Sequence, residues 1–232
     1  TENVMEMNMD YKKEIINRIE AISGRYSPYE VFTDWIKCCS LSIDNATTFI
    51  RDSIWNKKEQ EYFNLVKKYK NDEIKIFGDM LGLLALALEE NTEDVLGWIY
   101  MAAGMGNKSA GQFFTPYHLS QLCAGLAISE QEKDGKIYLN EPSCGGGGMI
   151  IASAAALKKK GINYQEKLEV VAQDLDWKGV YMCYLQLSLL GIRAVCVQGD
   201  TLTEPYGRGY ARERVLYTPA KKGALDWMRG TN

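Results

Sequence analysis

The chain has 232 residues, of which 46% are hydrophobic and 25% charged, enough for one ordinary domain or one with a small appendage. That composition excludes a disordered chain, and no apolar run approaches the roughly 18 to 20 residues of a membrane span. A net charge of −3 excludes a polycation that holds nucleic acid by bulk charge, so any DNA contact needs a local basic face.

The first hundred residues read as helical. Tyr11 to Ile22 places Ile15, Ile16, Ile19 and Ile22 on one stripe. Ser27-Pro28 opens a second helix, with Pro28 at its first position. Lys57 to Lys70 repeats the pattern with Tyr62, Phe63, Val66 and Tyr69. Phe77 to Glu90 is strongly apolar yet too short for a bilayer. Asn91 to Asp94 offers a cap before a further helix from Val95. The aromatics Trp35, Phe49, Trp55 and Trp98 are expected in the core of this half. Residues 1–110 therefore form a helical N-terminal region.

The character changes near Gly104, where Gly104, Gly106, Asn107 and Gly111 break the pattern. Residues 111–232 then alternate between extended and helical segments. Lys136 to Asn140 reads as a strand, Met149 to Lys160 as a helix stopped by Gly161. Leu168 to Gln173 is a buried strand, Trp177 to Leu190 a helix closed by Gly191, and Ala194 to Gln198 a third strand. Arg214 to Tyr217 is a candidate fourth strand. Strands separated by helices of this length predict βαβ units and a parallel, doubly wound sheet, so the fold class is α/β.

Ligands of such sheets sit beyond the carboxyl ends of the strands. Three loops have suitable chemistry. The first, Asn140 to Gly148 (NEPSCGGGG), follows the first strand and precedes a helix. Its glycines let backbone approach a ligand with no Cβ in the way, and the helix behind presents free N–H groups. It is neither a Walker loop nor a strict GxGxxG. The second holds Asp174 and Asp176 at the end of the second strand, where an acid can accept both hydroxyls of a ribose. The spacing from the glycines somewhat exceeds the roughly 20 residues of dinucleotide folds. Asp174 is preferred, and Asp176 suits a helix cap. The third, Gly199-Asp200, ends the third strand and could accept an adenine amine or form a plain turn.

The six cysteines, Cys38, Cys39, Cys123, Cys144, Cys183 and Cys196, form no CxxC pair, and His118 is the only histidine. No zinc site is expected. Thiols scattered through apolar segments predict reduced, buried cysteines in a cytoplasmic protein, and no signal peptide is read at the start. One histidine argues against a Ser-His-Asp or Cys-His mechanism. His118 suits a helix opening.

Taken in order, Gly111-Gln112-Phe113-Phe114-Thr115-Pro116, the loop Glu141-Pro142-Ser143-Cys144-Gly145-Gly146-Gly147-Gly148, the acid ending the second strand and Gly199-Asp200-Thr201-Leu202 resemble the N6-adenine DNA methyltransferases of type I restriction-modification systems. The likeness runs from about Asp94 to Leu202, and the helical half resembles the domain that precedes the catalytic core. It implies a Rossmann-like S-adenosylmethionine-dependent methyltransferase core, here with an incomplete sheet, and S-adenosylmethionine as cofactor. By resemblance Phe113, Phe114, Thr115 and Pro116 with Glu141, Pro142, Ser143, Cys144, Gly145 and Gly147 hold the methionine end. Asp174 then holds the ribose and Asp200 the adenine.

The family's (N/D)-P-P-(F/Y/W) tetrapeptide, which holds a flipped adenine, is absent. If the fourth strand occupies the family's place, Thr218 stands for its Asn, Pro219 for its first Pro, Ala220 for the second and Lys221 for the aromatic. The resemblance thus supports either a DNA adenine-N6 methyltransferase or a degenerate homologue that keeps the cofactor pocket as a regulatory, anti-restriction or subunit-mimicking protein. A bare edge at the last strand, or the apolar N-terminal helices, is expected to meet a protein partner or second copy. Gly207 to Asn232 carries six Lys/Arg against two acids and is the stretch with DNA-contact potential, against the alternative of a solvated tail.

Overall fold

Each early helix begins where a polar group can satisfy its free amides. In the computed structural model, which describes residues 10–105, 117–121 and 135–223, helix α1 (Tyr11–Ile22) is capped by Asp10. Helix α2 (Pro28–Ala46) opens on a capping box of Ser27 with Glu30. Helix α3 (Ser53–Val66) starts four residues before the periodic stretch, because the Asp52 carboxylate accepts the amides of Ile54 and Trp55. Helix α4 (Asn71–Glu90) likewise starts ahead of its apolar run, with Glu73 accepting the Lys70 amide at 2.7 Å. Helix α5 (Val95–Ala102) is capped by Asp94.

The apolar faces of these helices meet in one core. Ile15, Ile19, Phe32, Trp35, Met80, Leu84 and Ile99 are fully buried there. Each such side chain stabilises the fold by roughly 1.5 to 3 kcal/mol. Trp35 satisfies its indole N–H on the Phe77 carbonyl at 3.1 Å. Two of the four aromatics expected inside are outside. Phe49 is 85% exposed in the turn after α2, and Trp98 lies on the solvent side of α5 with the Lys12 ammonium 5.0 Å from its ring centroid.

The second half builds strand β1 (Ile137–Glu141), helices α6 (Gly148–Lys159) and α7 (Tyr164–Lys167), strand β2 (Leu168–Asp174), helix α8 (Trp177–Leu189), strand β3 (Arg193–Gln198), a 3₁₀ turn (Arg212–Arg214) and strand β4 (Val215–Tyr217). Among the described residues the sheet order is β1-β2-β3-β4. Strands β1, β2 and β3 are parallel, with Leu139 opposite Val170 and Val170 opposite Ala194. One face of β2 and β3 (Leu168, Val170, Ala172, Ala194, Cys196) joins the same core as the N-terminal helices, through α8. The opposite face carries Val195, Val197 and Val215 under Tyr206, Tyr210 and Tyr217.

The sheet corrects the all-parallel expectation. β4 runs antiparallel to β3, Val195 opposite Tyr217 and Val197 opposite Val215. The link from β3 to β4 (residues 199–214) is long enough for a parallel crossover but contains only the 3₁₀ turn, with no helix to pack on the sheet and carry the chain back. The chain therefore folds straight back along β3. Among the described residues β4 lies at one edge and β1 at the other.

The expected boundary at 110/111 and the segment Phe113, Phe114, Thr115 and Pro116 lie outside the described residues, as does Cys123. The other five cysteines are buried and unpaired. No helix among the described residues is long and apolar enough to cross a membrane, and no cluster of His, Cys, Asp or Glu there could hold a metal ion.

Candidate functional site

The carboxyl ends of β1, β2 and β3 bring three of the predicted loops together. The glycine loop leaves β1 and is tied across to β2, where the Cys144 amide donates to the Gln173 carbonyl at 2.9 Å. Gly145 and Gly147 adopt the left-handed region, φ 48° and 91°. Glycine enters that region without the Cβ clash that other residues meet, so the loop can turn into α6 within a few residues. Helix α6 opens on Gly147 without a side-chain cap.

Asp174 ends β2 beside this loop. One carboxylate oxygen accepts the Gly145 amide at 2.8 Å and the other accepts the Asp176 amide at 2.9 Å. Asp176 caps α8 by accepting the Lys178 amide at 3.0 Å, the helix-cap role its sequence position suits. Asp200 lies in the loop just past β3 and accepts the Leu202 amide at 2.9 Å. Next to it, the Thr201 hydroxyl donates to the Pro142 carbonyl at 2.7 Å, closing the β3 loop onto the glycine loop. Glu141 accepts the Ser143 amide at 3.3 Å, and Pro142 and Ser143 are exposed.

Two acids, an uncapped helix start and an exposed Pro-Ser step thus share one end of the sheet. Each carboxylate oxygen has two lone pairs, so Asp174 can accept further hydrogen bonds beyond those it makes to backbone. Cys144 is different. Its thiol is buried and hydrogen-bonded to the Cys183 thiol, and that hydrogen bond together with burial pushes its pKa well up. Cys144 can offer a ligand its backbone, not a thiolate.

The glycines also answer to the protein behind them, which the sequence does not reveal. A Cβ on Gly147 would lie 3.1 Å from the Cys183 sulfur, and one on Gly148 would lie 3.0 Å from a carboxylate oxygen of Asp94. Gly179 on α8 lets that helix approach the loop, since a Cβ there would meet the Gly145 carbonyl at 3.3 Å. Sequence reasoning read Asp94 only within a helix cap and passed over Gln186 altogether. A polar residue in the apolar stretch of α8 was the available signal.

Thr218 and Pro219 are not part of this end. The Thr218 hydroxyl donates to the Ile192 carbonyl at 2.7 Å and accepts the Ala194 amide at 3.0 Å, at the amino end of β3. An antiparallel strand finishes where its parallel neighbours begin. Thr218 therefore stands at the opposite end of the sheet from Asp174 and Asp200.

The basic stretch is also largely engaged. Arg212 pairs with Asp52, Arg214 with Glu204, Lys221 with Glu169 and Lys222 with Asp44. Arg208 is exposed, and Arg229 and Asp226 lie outside the described residues. His118 is exposed within helical residues 117–121. A groove of about 650 Å³ lies between α2, α3 and α8, lined by Lys57, Trp177, Tyr181 and Arg214 among others, and contains neither Asp174 nor Asp200.

Comparison with known proteins gives this site its context. The matched part is 29% identical over 126 residues to the type I restriction enzyme MpnII methylase subunit of Mycoplasma pneumoniae, covering 50% of this chain and 22% of that one. It is 27% identical over 113 residues to the MjaIX methylase subunit of Methanocaldococcus jannaschii, covering 47% and 19%. The chain thus aligns with about a fifth of the length of these curated relatives.

Two solved structures align with the chain. One, from Listeria monocytogenes, is assigned to the class I S-adenosylmethionine-dependent methyltransferases (TM-score 0.45, 13% identity, 84% of this chain and 55% of that one). The other is a type I restriction-modification methyltransferase subunit from Streptococcus thermophilus (TM-score 0.41, 16% identity, 86% and 41%). The family model described as N-6 DNA Methylase matches residues 91–217, from the residue that closes α4 to the last residue of β4, and this chain belongs to that family.

Proposed function

We propose that this chain binds S-adenosylmethionine across the carboxyl ends of β1, β2 and β3 and serves DNA adenine-N6 methylation. The convergence of the glycine loop, Asp174 and Asp200 at one end of the sheet carries this reading. The residues fit the cofactor. Asp174 can accept the ribose hydroxyls while its carboxylate is already oriented by Gly145 and Asp176. Asp200 can accept the adenine amine. Backbone of Glu141, Pro142, Ser143, Cys144, Gly145 and Gly147 can lie along the methionine end, and Phe113 to Pro116 complete that side by resemblance. When bound, the cofactor supplies a methyl group on a sulfonium sulfur.

The protein's own contribution is to preorganise acceptors and backbone donors, so that little ordering remains on binding. Family membership supports DNA, and the relatives' subunit names support a protein partner. The location of Thr218 and Pro219 at the far end of the sheet favours a second reading, in which the chain keeps the cofactor site and acts as a regulatory, anti-restriction or subunit-mimicking partner.

Calorimetric titration with S-adenosylmethionine and S-adenosylhomocysteine tests the site. Micromolar binding is expected, weakened about tenfold or more in Asp174→Ala, a loss of about 1.4 kcal/mol or more. Absence of binding by the unaltered chain, or undiminished binding in the folded variant, refutes it. Transfer of labelled methyl to unmethylated DNA separates the readings: transfer by the purified chain excludes the degenerate homologue, and binding without transfer excludes an autonomous enzyme.

A further inference from the structure

We infer that Asp94 and Gln186 form a buried clamp that positions the glycine loop for the cofactor, so that the N-terminal helical region is a working part of the cofactor site. The inference rests on the cofactor reading above.

Asp94 belongs to the helical region, where it caps α5, and its side chain reaches back under the loop. One carboxylate oxygen accepts the Gly97 amide at 2.9 Å and the Gln186 side-chain amide at 2.8 Å. The same Gln186 nitrogen donates to the Gly146 carbonyl at 2.8 Å. The Gln186 oxygen accepts the Leu96 amide at 3.0 Å. One glutamine on α8 thus holds the carboxylate, the loop backbone and the start of α5 together. Gln186 is fully buried and Asp94 is 8% exposed.

Gly97 and Gly148 leave room for this carboxylate, and Gly146 lies at ordinary contact distance from it. A Cβ on Gly97 would fall 2.1 Å from its outer oxygen, on Gly148 3.0 Å from the same oxygen and on Gly146 3.5 Å from the other. Part of the glycine run is therefore explained from behind, by the clamp, and not by the ligand in front. Burial pushes the Asp94 pKa up, opposed by the bonds from Gln186 and Gly97. A carboxyl held in an apolar core at that cost is unexpected of plain packing, which an apolar residue would serve as well. Gly146 sits between Gly145, whose amide Asp174 accepts, and Gly147, which opens α6. Fixing the Gly146 carbonyl fixes both.

The test uses two variants that leave the loop sequence intact. Gln186→Leu removes the donor. Gly97→Ala displaces the Asp94 carboxylate while raising the helix propensity of α5. Amide exchange at Gly145 and Gly147 is read by NMR without cofactor, with Val171 and Val195 as reporters of the sheet. Both variants are expected to exchange at Gly145 and Gly147 about tenfold faster or more, with the reporters unchanged, and to bind S-adenosylmethionine about tenfold more weakly.

Loop amides at unaltered rates would overturn the clamp. So would an equal acceleration of loop and reporters, which would make the contacts ordinary core packing. If the unaltered chain binds no cofactor, the cofactor reading fails, while the exchange rates still decide whether the two residues hold the loop.

Discussion

Replacing Lys222 by Met tests how the residues after β4 are held on the helical region. The Lys222 ammonium donates to the Asp44 carboxylate at 2.6 Å, the Asp44 carbonyl at 2.8 Å and the hydroxyls of Thr47 and Thr48 at 3.0 and 2.8 Å. It therefore neutralises a carboxylate whose side chain is only 5% exposed and satisfies the C-terminal end of α2, where a cation also suits the helix dipole. Breaking a buried pair costs about 3 to 5 kcal/mol when it strands a charge. Here Lys58 stays 2.7 Å from the other Asp44 oxygen, so the carboxylate keeps a partner. The loss then approaches that of hydrogen bonds to a charged group, and Met retains the apolar stem, which together give about 2 to 3 kcal/mol. For a chain of this size that lowers Tm by roughly 4 to 12 °C. Urea unfolding at constant m reads the difference directly. A loss below about 0.5 kcal/mol would place Lys222 among ordinary solvated surface pairs and refute the assignment.

Three further outcomes follow from single contacts. Gly147→Ala puts a Cβ at φ 91° and 3.1 Å from the Cys183 sulfur, so it is expected to destabilise by about 1 to 3 kcal/mol and to weaken cofactor binding; a neutral effect in urea unfolding would contradict the close packing. Thr218→Val strands the fully buried Ala194 amide and Ile192 carbonyl, a cost of about 1 to 3 kcal/mol, yet leaves the cofactor affinity of the folded protein unchanged because Thr218 lies at the far end of the sheet; calorimetry showing weakened binding would sink that placement. The Asp52 carboxyl lies below its ordinary pKa of 3.8, chiefly through the Trp55 amide and then Arg212, so its contribution is present above about pH 5 and is lost as pH falls through the folded pKa; a melting-temperature gap between the native chain and Asp52→Ala that does not shrink with acid would refute this.

Most of the elements were legible because their signals are local. The stripe of Ile15, Ile19 and Ile22, the Ser27-Pro28 opening and the alternation of short apolar strands with helices each lie within one segment. The starts of α3 and α4 lie ahead of their periodic stretches, where bonds from Asp52 and Glu73 to backbone amides decide the boundary. Phe49 and Trp98 were misplaced because aromatic character alone does not tell which side of a helix or turn faces the core. The direction of β4 follows from the β3–β4 connection, which carries no helix to bring the chain back for a parallel strand.

The order of strands and helices, the glycine loop and the acids at the ends of β2 and just past β3 are written in the sequence, since they depend on neighbours along the chain. Only the tertiary structure decided that Thr218 stands away from that end, and that four of the basic residues in the last stretch are spent on internal pairs. It alone decided that Asp94 and Gln186 meet under the glycine loop. The decisive contacts among these join segments far apart in sequence: the Gln186–Asp94 bond spans 92 residues and the Lys222–Asp44 bond 178. No local propensity encodes such a meeting, because it forms only when packed helices and a hydrogen-bonded sheet bring the two side chains into one low-dielectric space.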